Sequence, residues 1–91
     1  MNKVDFSKVE KDLKKIPGYI RDKLFSWALA VELEGILEIR KLPGYHDEPL
    51  KGERRGQRSI RLSRSYRAIY IENLKGELNL ISIIEVNKHE Y

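Results

Sequence analysis

The chain has 91 residues, 18 Lys and Arg against 14 Asp and Glu, two histidines and no cysteine. A length below that of a common domain leaves room for one modest core, so residues 1–91 are read as a single domain. The lack of cysteine excludes a disulfide scaffold, a thiolate nucleophile and Cys-based zinc or iron sites. No run is long or apolar enough to predict an export signal or a membrane span, which fits a cytoplasmic protein.

The net charge of +4 is unevenly spread. Residues 51–67 hold seven cations (Lys51, Arg54, Arg55, Arg58, Arg61, Arg64 and Arg67) against Glu53, a net +6, and the other 74 residues hold 11 basic and 13 acidic side chains, a net −2. Six of the seven are arginines, whose planar fork matches phosphate oxygens. A concentrated Arg field on an otherwise slightly acidic chain points to a polyanion, most often nucleic acid.

In chain order, the alternation over residues 2–6 predicts a short strand with Val4 and Phe6 inward. Ser7 followed by Glu10 reads as a capping box, and Val9, Leu13 and Ile16 then repeat on one helical face until Pro17 and Gly18 stop it. A second helix is expected from about Tyr19 to Leu33, with Ile20, Leu24, Trp27 and Val31 as its inner stripe, Phe25, Ala28 and Leu29 widening it, and Gly35 ending or kinking it. The segment Ile36 to Leu42 fits a short helix or a strand. Tyr45 to Gly56 is polar, carries Pro49, Gly52 and Gly56, and reads as a long surface loop.

After Gly56 the period becomes two. Arg58, Ile60 and Leu62 share one face and Ser59 and Arg61 the other; Tyr66 to Ile71 is aromatic and β-branched; Asn73 to Gly76 turns into an apolar central strand over Leu78 to Val86. Helix is rejected for the first of these, because Arg58, Arg61 and Arg64 would stack like charges on one helical face. The expected fold is α+β: a short N-terminal strand, two or three helices, then a three-stranded antiparallel meander forming one twisted sheet with the helices packed on it.

Several residue patterns can carry chemistry. Gly52 and Gly56 punctuate the basic run so that backbone amides and Arg forks can approach an anion together; the competing reading is a solvated charged loop. Arg67 lies inside an apolar aromatic strand, where an unpaired charge is costly, so it either pairs with a carboxylate such as Glu48 or Glu85 or is aimed at a phosphate. His89, in the closing run Asn87 to Tyr91, is the side chain of the tail suited to proton transfer near neutrality, although a lone terminal histidine is usually just exposed. His46 has the same status, and two histidines of unknown separation make no metal site. No nucleophile elbow, dinucleotide fingerprint or phosphate-binding glycine loop is present.

The opening strand into Asp5, Phe6 and Ser7, the run Glu48, Pro49, Leu50, Lys51, Gly52, the strands Arg58 to Leu62 and Tyr66 to Tyr70, and the closing His89, Glu90, Tyr91 together resemble toxins of the RelE/ParE superfamily, and within it the HigB and RelE mRNA interferases of type II toxin–antitoxin pairs. The resemblance spans nearly the whole chain. It implies a RelE-like toxin that enters the ribosomal A site, cuts mRNA without metal or cofactor by attack of a ribose 2′-OH on the adjacent phosphate, leaves a 2′,3′-cyclic phosphate, and is silenced by a cognate antitoxin, in a heterotetramer in some arrangements.

By position, the resemblance makes Arg67 the stabiliser of the phosphorane, His89 a catalytic residue, Tyr91 a base-stacking or phosphate-orienting ring, and Glu48 a carboxylate base. Lys51, Arg54, Arg55, Arg58, Arg61 and Lys88 would grip RNA. The chain departs from other members in having His89 alone where they place several cations, which leaves Glu48 and His89 both open as the base. A ParE-like DNA gyrase poison and a non-catalytic RNA-binding module are the competing readings of the same fold; the joint presence of Arg67, His89 and Tyr91 favours the nuclease.

Overall fold

The computed structural model describes residues 1–88. Five strands form one sheet: β1 (Asn2–Asp5), β2 (Glu48–Pro49), β3 (Arg58–Arg61), β4 (Tyr66–Lys75) and β5 (Leu78–Lys88), in the order β1-β5-β4-β3-β2. The meander β3-β4-β5 is antiparallel as expected, and two further strands extend it. β1 adds to β5 in parallel and β2 adds to β3 antiparallel. The helices are α1 (Glu10–Lys15), α2 (Gly18–Glu34) and α3 (Ile36–Ile39). The undecided segment after Gly35 is thus a short helix; the expected long loop begins at the last residue of a 3-10 turn, Pro43–Tyr45, and contains β2 and a second 3-10 turn, Gly52–Arg54.

The capping box does not form. Ser7 sends both its backbone N–H and its hydroxyl back to the Asp5 carboxylate, which opens a 3-10 turn over Ser7–Val9 and delays α1 to Glu10. Those two bonds, with the Lys8 charge nearby, also hold the Asp5 carboxyl below its usual range. α2 ends as expected at Gly35, whose φ of 91° lies in the region that L side chains avoid. Asn2 then ties β1 to the start of α3 by accepting from the Ile36 N–H, and Glu32 accepts from the Val4 N–H.

The core lies between the helices and one face of the sheet. Ile20, Leu24, Trp27 and Val31 of α2 meet Ile60, Ala68, Tyr70, Ile81 and Ile83, all with essentially no exposure. Phe25 and Leu29, expected to widen the inner stripe, face outward instead; Phe25 keeps an edge contact with Phe6 at 5.1 Å between ring centres. A single helix on a sheet buries only the arc that touches it, so the wider apolar arc stays in water.

One irregularity matters for the site. Ile69 pairs with Glu85 but Tyr70 pairs with Ile83, so Ile84 is an extra residue on β5. The bulge reverses the strand's parity. It lets Ile81, Ile83 and Val86 all face the core, and it sends Glu85 and Asn87 to the opposite face, beside Arg67.

Candidate nucleic-acid site

The sheet face turned away from the helices carries the polar chemistry. Arg67 on β4 stands directly opposite Arg61 on β3 and directly opposite Asn87 on β5. Next to this row, His46, Glu48, Ser59, Arg61, Ser63, Tyr66 and Arg67 line a small cleft of about 80 Å³. The turn between β3 and β4 closes one end, held by the Ser63 hydroxyl, which accepts from the N–H groups of Ser65 and Tyr66. β5 reaches Lys88 opposite Tyr66, so the described chain ends at the cleft's rim.

Two like charges directly across a strand pair repel, and this pair is kept. Arg67 Nε is buried without a hydrogen-bond partner among the described residues, and neither Glu48 nor Glu85 forms an ion pair with it. Glu85 instead lies 2.5 Å from Arg54 Nη1, which also donates to the Gln57 side-chain oxygen at 2.8 Å. The Arg54 guanidinium, with desolvation opposing it and the Arg67 charge adding to it, holds the Glu85 carboxyl below its usual range. Two guanidiniums line the cleft without an ion pair to the Glu48 carboxylate or to Glu85, an arrangement that suits an anion. A phosphodiester supplies one, in the geometry that arginine forks accept.

Beside the cleft lies a buried network. The Asp47 carboxylate, 1% exposed, accepts from Arg58 Nε at 2.7 Å and from the Tyr70 hydroxyl at 2.6 Å, with Arg40 Nε at 3.8 Å. Arg40 in turn donates to the Tyr70 hydroxyl and pairs with Glu72. Burial, then the bond to Asp47, pushes the Tyr70 phenol well above its usual value, so it stays a donor throughout the physiological range. Partial burial raises the Glu72 carboxyl, but bonds from Asn79 and Arg40 outweigh this and hold it low. The network grips the middle residue of His46, Asp47, Glu48, and its two neighbours line the cleft. His46 has φ 45° and is the one non-glycine residue with positive φ among those described, a conformation histidine tolerates better than most side chains.

Of the residues singled out from sequence, Glu48, Arg61 and Arg67 meet in the cleft. Lys51 and Arg55 are exposed on the loop nearby, and Lys88 is exposed at the end of β5. Arg54 and Arg58 of the proposed RNA-gripping set are paired within the chain: Glu85 and Asp47, acids from outside the basic stretch, engage their guanidiniums. Among the described residues, Lys51, Arg55, Arg61, Arg64 and Arg67 make no ion pair. His89 and Tyr91 lie outside the described residues. Sequence reasoning missed Asp47, Tyr70 and Arg40 as a network and set His46 aside. The available signal was a histidine and two acids in three consecutive positions, just before a proline. Among the described residues no three His, Asp or Glu side chains stand close enough to hold a metal.

No protein-family model matches the sequence, and no curated protein matches it significantly. Solved structures do. A chain of the toxin–antitoxin complex RelBE2 from Mycobacterium tuberculosis is 26% identical, with 96% of each chain covered and a TM-score of 0.65. A chain of the YoeB–YefM complex from Staphylococcus aureus is 21% identical over 99% of both chains with a TM-score of 0.71, and the YoeB/ParE toxin from Agrobacterium tumefaciens is 18% identical over 97% of this chain and 99% of its own, with a TM-score of 0.68. These neighbours bear out the resemblance seen in the sequence: the chain has the α+β fold of RelE/ParE superfamily toxins.

Proposed function

We propose that the protein is the toxin of a toxin–antitoxin pair, a ribosome-dependent endoribonuclease that cuts mRNA by 2′-OH attack and is silenced by a cognate antitoxin. The observation that carries the reading is the Arg61–Arg67 pair facing a cleft that also holds a carboxylate. Transesterification needs an acceptor for the 2′ proton, cations for the charge that grows on the phosphorane, and a donor for the leaving 5′ oxygen. Glu48 fits the first need, being an exposed carboxylate on the cleft wall. Arg67 fits the second, assisted by Arg61. The third calls for an acid; the resemblance makes His89 a catalytic residue, open with Glu48 as the base, and has Tyr91 stacking on a base or orienting the phosphate.

The solved neighbours that are toxin–antitoxin complexes support an antitoxin partner, and the exposed cations Lys51, Arg55, Arg61 and Lys88 support a polyanionic target. A cytoplasmic location follows from a ribosomal target. No described helix is long and apolar enough to cross a membrane.

The test has two parts. Expression of the chain alone should arrest growth, and co-expression with its antitoxin should relieve the arrest. Mapping of mRNA ends should show cuts that require translation and carry 2′,3′-cyclic phosphates, and Arg67→Ala should lose about 10² to 10³-fold in single-turnover cleavage, the scale of removing one preorganised donor, while still binding ribosomes. Arrest without mRNA cleavage but with gyrase-linked DNA breaks would establish the gyrase reading instead.

A further inference from the structure

Transesterification in the cleft requires a group that carries a proton and releases it readily. Arginine holds its protons too firmly for this, serine and tyrosine are weak acids, and an ionised carboxylate has none to give. Among the described residues lining the cleft, this leaves the imidazole of His46. Its placement is built rather than incidental. The His46 N–H bonds the Pro43 carbonyl at 3.2 Å at the end of the Pro43–Tyr45 turn, its backbone is held in the left-handed region, and the next residue is anchored by Arg58 and Tyr70. A non-glycine residue in that region is uncommon and often marks a functional position.

We infer that His46 is a catalytic residue that protonates the leaving 5′ oxygen in the cleft that the carboxylate of Glu48 also lines. This rests on the reading of the chain as a nuclease that cuts by 2′-OH attack. In the step, the 2′ oxygen gives its proton to Glu48 and forms a bond to phosphorus, the bond from phosphorus to the 5′ oxygen breaks, and that oxygen takes the proton of the His46 imidazolium. Glu48 ends protonated and His46 neutral, and water restores both. Arg61 from β3 and Arg67 from β4 face the same space and neutralise the phosphorane. Tyr66 completes the wall, and Lys23 lies behind the turn, over the ring of Tyr45.

The test uses the full chain on translating ribosomes, with His46→Asn and His46→Gly, since asparagine and glycine both tolerate the left-handed backbone. Both variants should keep the wild-type melting temperature and lose about 10² to 10⁴-fold in single-turnover cleavage. His46→Asn should lose the alkaline limb of the pH–rate profile, where the imidazolium gives up its proton. Added imidazole should partly restore His46→Gly, a rescue that a purely structural role would not produce. Wild-type rates with both limbs intact in His46→Asn, or loss of the alkaline limb in His89→Gln alone, would overturn the inference while the nuclease reading stands. Absence of translation-dependent cleavage by the wild-type chain would remove the nuclease reading and this inference together.

Discussion

Replacing Asp47 by alanine should destabilise the protein far more than a residue from a polar surface loop ordinarily does. Its carboxylate is 1% exposed and holds two short hydrogen bonds, one from the Arg58 guanidinium and one from the Tyr70 hydroxyl. Removing one partner of a buried charge pair costs about 3–5 kcal/mol, because the other charge is left uncompensated. Arg58 and Arg40 keep side-chain exposures of 23% and 22% and can partly rehydrate, which places the cost at the lower end, about 3 kcal/mol. For a domain of this size each kcal/mol moves the melting temperature by roughly 4–8 °C, so a fall of about 12–24 °C is expected.

Tyr70→Phe removes only the hydroxyl, and the ring can still pack on Trp27, whose centre lies 5.4 Å away. Its cost should be about 1–2 kcal/mol. The two substitutions share one hydrogen bond, so in a double-mutant cycle Tyr70→Phe should cost markedly less once Asp47 is gone. Thermal melts and urea midpoints of the four proteins measure this. A fall of under about 4 °C for Asp47→Ala, or strict additivity in the cycle, would refute the view that this network holds the segment lining the cleft.

On the proposed reading, His89→Gln should lower cleavage by about 10² to 10⁴-fold without changing stability, read from single-turnover rates beside melting curves. RNA and ribosome binding should weaken with salt, with a log-log slope of about −0.7 per phosphate contact on single strands. Lys51→Gln and Arg55→Gln should flatten that slope, and Arg54→Gln and Arg58→Gln should change stability more than slope, because their charges are already engaged. Glu72 and Glu85 are both held below the ordinary glutamate value of 4.5. A carboxylate with a depressed folded value contributes stability above its unfolded value and loses it as the pH falls through the folded one, so urea midpoints should be level above about pH 5 and drop below it. Glu85→Gln should shallow that drop.

The meander was legible because its signal is local. Period-two alternation after Gly56, the aromatic strand and the turn at Gly76 each declare themselves within a few residues, and Gly35 and Pro17 punctuate the helices in the same way. The features that escaped depend on distant partners. β1 lies parallel to β5 across some 75 residues of chain, and β2 is two residues long and includes a proline. The Ser7 box failed because the Asp5 carboxylate, two residues away, takes the Ser7 N–H that Glu10 would have bonded and makes the Ser7 hydroxyl a donor to itself. The bulge at Ile84 hides in a run of apolar residues that satisfies either parity, and only pairing with β4 decides which face Glu85 takes.

The site divides along the same line. Arg67 stood out in the sequence because a charge inside an aromatic strand needs an explanation, and the sheet sharpens it by setting Arg61 opposite. Asp47 could not be distinguished from any loop acid until Tyr70 and Arg58, 23 and 11 residues further on, closed around it. Once they do, the energetics of the face become coherent. Repulsion between Arg61 and Arg67 costs stability in the free protein, and Glu85, on the same face, pairs with Arg54 and not with either of them. An arrangement selected for stability alone would let an acid meet Arg67. Here, among the described residues, no acid makes an ion pair with Arg67, and a cation pair so placed suits charge that arrives with a ligand and grows during reaction, the condition under which preorganised cations accelerate phosphoryl chemistry.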